Sequence, residues 1–320
     1  MKFPYLSRKM SRALATPAKR LTASPTIEPL EARIAPATLV NPTTVTFQDK
    51  NGDAVTVTIS TPLFTTASVA KVFTFDTGSV NGDNSAEQQL ELLNITKLGH
   101  AASGMDISIT AVPVDSSPGV VNVGYINSSN IDLGNVTVGG DLGRISVGDL
   151  NHSTPGLQSL TVESLGAQGT ATQLPGGNLN TLISGPVGTI TVNGDIDGAS
   201  IGIGGGAKGL LSTLTVTGSI KGDAASFSGS IRTQGGITNV TVDGSIIGGS
   251  GASSGLIGTA GSLGTVVIEE AVTGGGGAFS GAILATKNIV SVEIDGDLSG
   301  GGGVDSGQVG TASDLGSVTV

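Results

Sequence analysis

LSTLTVTGSIKGDAASFSGSIRTQGG (residues 211–236), ITNVTVDGSIIGGSGASSGLIGTAGS (237–262), LGTVVIEEAVTGGGGAFSGAILATKN (263–288) and IVSVEIDGDLSGGGGVDSGQVGTASD (289–314) lie in register, one 26-residue step after another. Four columns are aliphatic in every copy: Leu214/Val240/Val266/Val292, Val216/Val242/Ile268/Ile294, Ile220/Ile246/Val272/Leu298 and Ile231/Ile257/Ile283/Val309. A fixed period of this length marks a solenoid, in which no unit buries its own core and each stacks on its neighbours. Within a unit, Val240 and Val242 share one face of a first strand by period-2 alternation. Ile246 marks a second strand after Gly244, and Ser254-Gly255-Leu256-Ile257 a third after the loop Gly248–Ser253. The expected fold is therefore all-β: a parallel β-helix with three short strands per ~26-residue coil, each column a ladder of like side chains about 4.8 Å apart.

Outward from this block the period loosens. NVTV (135–138), SLTV (159–162) and TITV (189–192) lead into the block at Leu214 with steps of 24, 30 and 24 residues. The reading is three regions: a disordered basic leader (1–38), a β-rich cap (39–126) and the solenoid (127–320), of seven or eight coils. Residues 167–177 are the candidate for an extruded loop. In the cap, TVTFQDKNGDAVTVTIS predicts a hairpin about Asn51-Gly52, with further strands over 69–75, 90–95, 107–112 and 120–125. The last unit breaks off after LGSVTV (315–320). The expectation is that the solenoid continues in a longer repeat protein or that a partner covers this end.

Composition fits a thin aliphatic core. Of 320 residues, 52 are Gly and only 3% are aromatic, while 38% are apolar and mean hydropathy is +0.24, which excludes a highly charged disordered chain. Residues 1–38 hold seven of the 15 basic and two of the 25 acidic groups, leaving 8 basic against 23 acidic beyond them, a net of −15. Such a body is a poor partner for nucleic acid, which needs clustered Lys and Arg. No apolar run is long enough for a membrane helix, and the leader lacks the apolar centre of a standard secretory signal. There is no Cys, hence no disulfide, thiolate ligand or Cys nucleophile.

IEPLEARIAPA (27–37) resembles the leader motif of large surface or secreted repeat proteins of Planctomycetes- and Verrucomicrobia-type bacteria. The segments TFQDKNGDAVTVTIS and VNVGYINSSNIDLGNVTVGGDLGRISVGD also resemble the stretch between leader and repeats in such proteins. The resemblance implies export and an extracellular or cell-surface location. It implies no catalytic residues.

Few side chains are arranged for chemistry. GGGGVD (300–305) fits half of a calcium-binding nonapeptide, but its counterparts GDAASF (222–227), GGSGAS (248–253) and GGGGAF (274–279) lack the final Asp that stacked sites need. Asp49, Asn51 and Asp53 alternate as oxygen donors, yet the Gly precedes the third donor, which suits a tight turn rather than an EF-hand. Asp195/Asp197 and Asp295/Asp297 are pairs that a polysaccharide-cleaving β-helix would use, but they recur at turns, as solubilising edge charge does. His100 and His152 have no Ser-His-Asp context. Outward Thr residues (Thr189, Thr191, Thr213, Thr215, Thr241, Thr319) suggest a flat hydroxyl array, interrupted at Val267 and Glu293; strand propensity accounts for them. No catalytic, cofactor or metal site is assigned. The expected function is a non-catalytic structural or adhesive surface protein, contacting surface polysaccharide or other cell-surface proteins. The alternative is a carbohydrate-active β-helix, lyase or hydrolase. Three or more charged side chains gathered on one face would favour the enzyme; a Thr/Ser/Gly face would favour adhesion.

Overall fold

Parallel strands wind into a β-solenoid of about eight turns, described by a computed structural model over residues 37–76, 88–114 and 116–320. The leader and its motif lie outside the described residues, apart from the last positions. Each regular coil has three strands, as the spacing predicts. The first sheet contains Leu211–Val216, Ile237–Val242, Leu263–Ile268 and Ile289–Ile294. Two-residue strands such as Ile220–Lys221 and Ile246–Ile247 form the second. Ser200–Gly204, Ser230–Thr233, Leu256–Thr259 and Ala282–Ala285 belong to the third. All four aliphatic columns are paired in register between coils, for instance Leu214↔Val240, Val240↔Val266 and Val266↔Val292. Ile231↔Ile257↔Ile283 runs likewise on the third sheet. A fifth column, Leu211/Ile237/Leu263/Ile289, joins them, and every member is at most 2% exposed.

The corner between the second and third sheets repeats one device. Phe227, Ser253, Phe279 and Asp305 have φ of 54–64°, followed by Ser228, Ser254, Ser280 and Ser306 and then by a Gly that also has positive φ. The Ser254 hydroxyl accepts from the Gly249 N–H (2.9 Å) and donates to the Gly251 carbonyl (2.7 Å), and Ser280 repeats this one coil on. Both serines are fully buried. Each thereby satisfies backbone groups that the tight loop strips from strand pairing.

The cap is antiparallel. Strands β1 (Thr38–Asn41), β2 (Thr44–Gln48) and β3 (Ala54–Ile59) form a meander, and β3 pairs antiparallel with β6 (Met105–Val112), the first strand of the first sheet. The hairpin about Asn51-Gly52 is present, with a five-residue loop between Gln48 and Ala54. Helix α1 (Thr66–Val72) replaces the first part of the strand expected over 69–75; only β4 (Phe73–Asp76) is extended. Thr65 and Ser68 form a reciprocal capping box there, which starts a helix despite two β-branched valines. Val69 and Val72, three apart, are both buried. Phe47, Phe64, Phe73 and Phe75 pack together, with ring centroids 4.8–6.1 Å apart. The chain's aromatic core thus sits in the cap, beside a solenoid interior built from aliphatics.

Parallel stacking reaches further back than residue 127, where the repeats become visible. β5 (Gln89–Asn94) runs parallel to β7 (Val123–Ser129), and β6 runs parallel to β8 (Leu133–Gly148). The strand expected over 90–95 ends at Asn94, where a 3-10 segment (Ile95–Ala102), kinked at Gly99 (φ 68°), begins, and the one over 120–125 starts at Val123. Residues 167–177 form a mostly exposed loop, as expected, and Thr172 and Gln173 pin it to the third sheet. Thr172 and Gln173 are each 6% exposed, and the Gln173 amide bonds both ways with the backbone of Asn178 (2.8 and 3.2 Å). The glycines at 124 and 143 admit this contact: a Cβ on Gly124 would stand 2.0 Å from the Thr172 carbonyl oxygen.

Ile257→Ala should cost about 2–5 kcal/mol, since it empties a fully buried column position. Thr241→Ala, on the outward side of the first sheet, should stay under about 1 kcal/mol. Urea unfolding midpoints measure both; equal losses would contradict the inward/outward assignment. Gly281→Ala should destabilise by at least about 1 kcal/mol, because φ is +59° and the new Cβ would lie 2.0 Å from the Thr273 carbonyl oxygen.

Candidate ligand-binding face

Charge is sorted by side around the solenoid. Asp243, Glu269 and Asp295 occupy one corner position in successive coils, each N–H bonding back to the first strand of the preceding coil (Val216, Val242 and Ile268 carbonyls). Glu270 and Asp297 lie on the same edge between the first and second sheets, and all but the half-buried Asp243 are exposed. This places Asp295 and Asp297 in an acidic edge stripe. Asp195 lies on this edge too. Its carboxylate meets Lys221 Nζ at 2.5 Å and accepts from the Ser219 N–H at 2.8 Å. Burial alone would raise the Asp195 pKa; the hydrogen bonds from Lys221 and Ser219 overcome this and lower it. Lys221 is raised, chiefly by its hydrogen bond to Asp195. Asp197, opposite Lys221 in the second sheet, is exposed.

The outward side of the third sheet is different. One outward column reads Asn127, Ser146, Leu182, Gly202, Arg232, Gly258, Leu284, Gly310, and its neighbour Tyr125, Arg144, then the positions of Asn180, Ser200, Ser230, Leu256, Ala282 and Gln308. Neither column contains a carboxylate; both contain an arginine. Arg144 stacks its guanidinium 3.9 Å from the centroid of Tyr125, and Arg232 lies 4.1 Å from that of Phe227. The Nε of each is buried without a hydrogen-bond partner, and neither arginine pairs with a carboxylate among the described residues. Burial pulls the Arg232 pKa down from its ordinary value; an arginine nevertheless stays charged. Lys208 and Lys287 flank this side where the third sheet turns into the first. Of the five basic residues after residue 133, only Lys221 lies elsewhere.

A groove of about 560 Å³ runs along this face across five coils, from Ser129 and Asn130 past Leu182 and Gly202 to Arg232 and Gln234. A second depression, about 340 Å³, lies beyond Arg232 over Gly258. Arg232 is the ridge between them. The groove's floor is open by choice of residue: a Cβ on Gly202 would meet nothing nearer than Leu182 Cδ2 at 3.5 Å.

His152 borders the groove. Its Nε2 lies 3.0 Å from Ser184 Oγ, and that hydroxyl is 2.7 Å from the Asp149 carbonyl oxygen. The single hydroxyl proton goes to the carbonyl, so Nε2–H must donate to Oγ. Ser184 therefore has no base to activate it. Sequence reading did not bring these two together. His100 is exposed on the 3-10 helix. The donor series at Asp49–Asp53 closes a turn: Asp49 Oδ1 accepts from the N–H groups of Asn51 (2.8 Å) and Asp53 (2.9 Å). The Asp53 carboxylate, fully buried, accepts from Ser117 Oγ and from the Gly119 N–H (3.0 Å), which ties down the 116–119 turn. In GGGGVD, Asp305 takes the positive-φ corner position that Phe227, Ser253 and Phe279 take elsewhere, so no carboxylates stack there. Among the described residues, no three His, Cys, Asp or Glu side chains gather as a metal site. The outward Thr array forms a true column, Thr137, Thr161, Thr191, Thr215, Thr241, interrupted at Val267 and Glu293. Asn135, Ser159, Thr189, Thr213, Asn239, Thr265 and Ser291 run beside it.

The chain matches no protein-family model, no curated protein and no solved structure. Among the described residues no helix is long and apolar enough to cross a membrane.

Asp195→Asn should cost less than about 1 kcal/mol at pH 7, because the ion pair is more than a third exposed. Asp195's folded-state pKa is lowered, so its contribution is present above the unfolded value of about 4. It fades as pH falls through the folded-state value. Stability curves of the two proteins should therefore converge towards pH 2; a gap that persists there would contradict the assignment.

Proposed function

We propose that this chain is a non-catalytic structural or adhesive scaffold of the bacterial cell surface, making many weak contacts with a polymeric partner such as surface polysaccharide. The observation that carries this reading is the outward surface, which presents the same polar register coil after coil. Seven hydroxyl or amide side chains from Asn135 to Ser291 stand in one column of the first sheet, and five threonines stand in the next. One such contact is weak. A row of them on a rigid frame gains through effective concentration, because the first contact holds the next site close to its partner. Export and surface location are supported by the resemblance of residues 27–37 to leaders of secreted repeat proteins.

A carbohydrate-cleaving enzyme is the competing reading, and two features favour it: the groove, and the acidic stripe of Asp243, Glu269, Glu270, Asp295 and Asp297 on the edge between the first and second sheets. Two of the groove's groups that could do such chemistry are otherwise engaged: Ser184 donates to a backbone carbonyl, and the Asp149 carboxylate accepts from the Asn151 N–H at 2.6 Å.

Purified protein should be retained by one or more insoluble or arrayed polysaccharides and leave their chain length unchanged over a day, as followed by reducing-end release and ultraviolet absorbance of unsaturated products. Turnover of any of these polymers would overturn the non-catalytic reading; retention by none would overturn the adhesive one.

A further inference from the structure

Arg232 is costly as it stands. Its guanidinium has five donors in a fixed fork, and among the described residues it has an aromatic contact but neither a hydrogen bond nor an ion pair. The chain carries a net charge of −10, yet no carboxylate stands at any outward strand position around it. The neighbouring coils show that the fold does not need this side chain: the positions above and below are Gly202 and Gly258.

Phe227 is equally unforced. A phenylalanine at φ +64° is strained, and the same corner in the next coil takes Ser253. The ring is 40% exposed and faces the guanidinium. The strain is kept where a ring can serve as a surface.

We propose that Arg232 and Phe227 form a binding site for a uronate-containing polysaccharide laid along the solenoid axis, with a sugar carboxylate on the guanidinium and sugar rings in the depressions over Gly202 and Gly258. This rests on the reading of the chain as a polymer-contacting scaffold and names the polymer. A carboxylate matches the planar fork bidentately. The half-exposed ring offers an apolar face to the sugar's C–H groups, and Asn130, Ser146 and Gln234 line the groove with donors and acceptors for hydroxyls. Five coils span about 19 Å, enough for several extended sugar units. Among the described residues, Asp149 is the one carboxylate lining this groove, and it is held by the Asn151 N–H. Repulsion from the acidic edge is screened beyond about 8 Å at physiological ionic strength, so recognition acts at contact range.

The test is calorimetric titration of the full chain with three hexasaccharides: hexagalacturonate, a carrageenan fragment bearing sulfate as its only anion, and neutral cellohexaose. Hexagalacturonate should bind, and Arg232→Gln should weaken it about tenfold or more. Arg232→Lys should restore only part of that loss, since a lysine keeps the charge and lacks the fork. Phe227→Ser carries the residue of the adjacent coil, so it keeps the fold and should lower affinity several-fold. Gly202→Val should block the groove while circular dichroism and the melting temperature stay unchanged. Equal hexagalacturonate affinity in wild type and Arg232→Gln overturns the site. Tighter binding of the sulfated fragment overturns the carboxylate assignment. Retention of neutral polysaccharides without any Arg232-dependent uronate binding sinks this inference and leaves the scaffold reading standing; absence of all glycan binding sinks both.

Discussion

Everything in the solenoid depends on like side chains stacking on like, one coil above the next. A single coil contributes five or so aliphatic groups, for instance Ile237, Val240, Val242, Ile246 and Ile257, and has no interior of its own. These groups are shielded only because Leu263, Val266, Ile268, Val272 and Ile283 lie directly against them. The hydrogen bonds that hold coils in register also run between coils, so burial and pairing are won or lost together. An isolated unit would expose both.

This dependence explains where the remaining polar groups go. A three-sided coil must turn sharply three times, and each turn takes backbone groups out of the ladder. The buried serines at 228, 254 and 280 answer this at one corner. At another, Thr259 receives a hydrogen bond from Thr233 and donates to the Gly235 carbonyl. The serines form an internal column in register like the aliphatic ones, while the Thr233–Thr259 pair is flanked in its own column by Ile203 and Ala285. The cap solves a different problem. Antiparallel strands and a cluster of phenylalanines pack against the first described coil, in the place that a preceding coil holds elsewhere.

The regular coils were legible because their columns recur at a constant step, and paired registers follow that step residue by residue. Legibility failed where spacing varied. Val123 and Met105 already belong to the parallel stack, but the 3-10 helix and the 113–122 segment beside them hide the period. Val69 and Val72 have strand propensity, and a two-residue capping device at Thr65 and Ser68 outweighs it locally. The repeated Ser-Gly after each corner was visible as a column, although its bonding is not a property of sequence pattern. The candidate site was the least legible part. Arg232 lies opposite Gly202 and, one coil further back, Leu182 through steps of 30 and 20 residues, and nothing in the sequence announces that alignment or the absence of acid around it. Asp195 and Lys221 differ by 26, yet the local step is 24, so they meet diagonally.

One feature of the outward surface separates two periods. Along the third sheet the column Leu182, Gly202, Arg232, Gly258, Leu284, Gly310 alternates bulky and bare, and the corner above it alternates Phe227, Ser253, Phe279, Asp305. The interior repeats every coil; this exterior repeats every second coil. A gain or loss of one coil therefore leaves the core continuous while throwing the surface pattern out of phase beyond it. Only changes by coil pairs preserve both, so on this face the structural repeat of the rod is a doublet of about 52 residues.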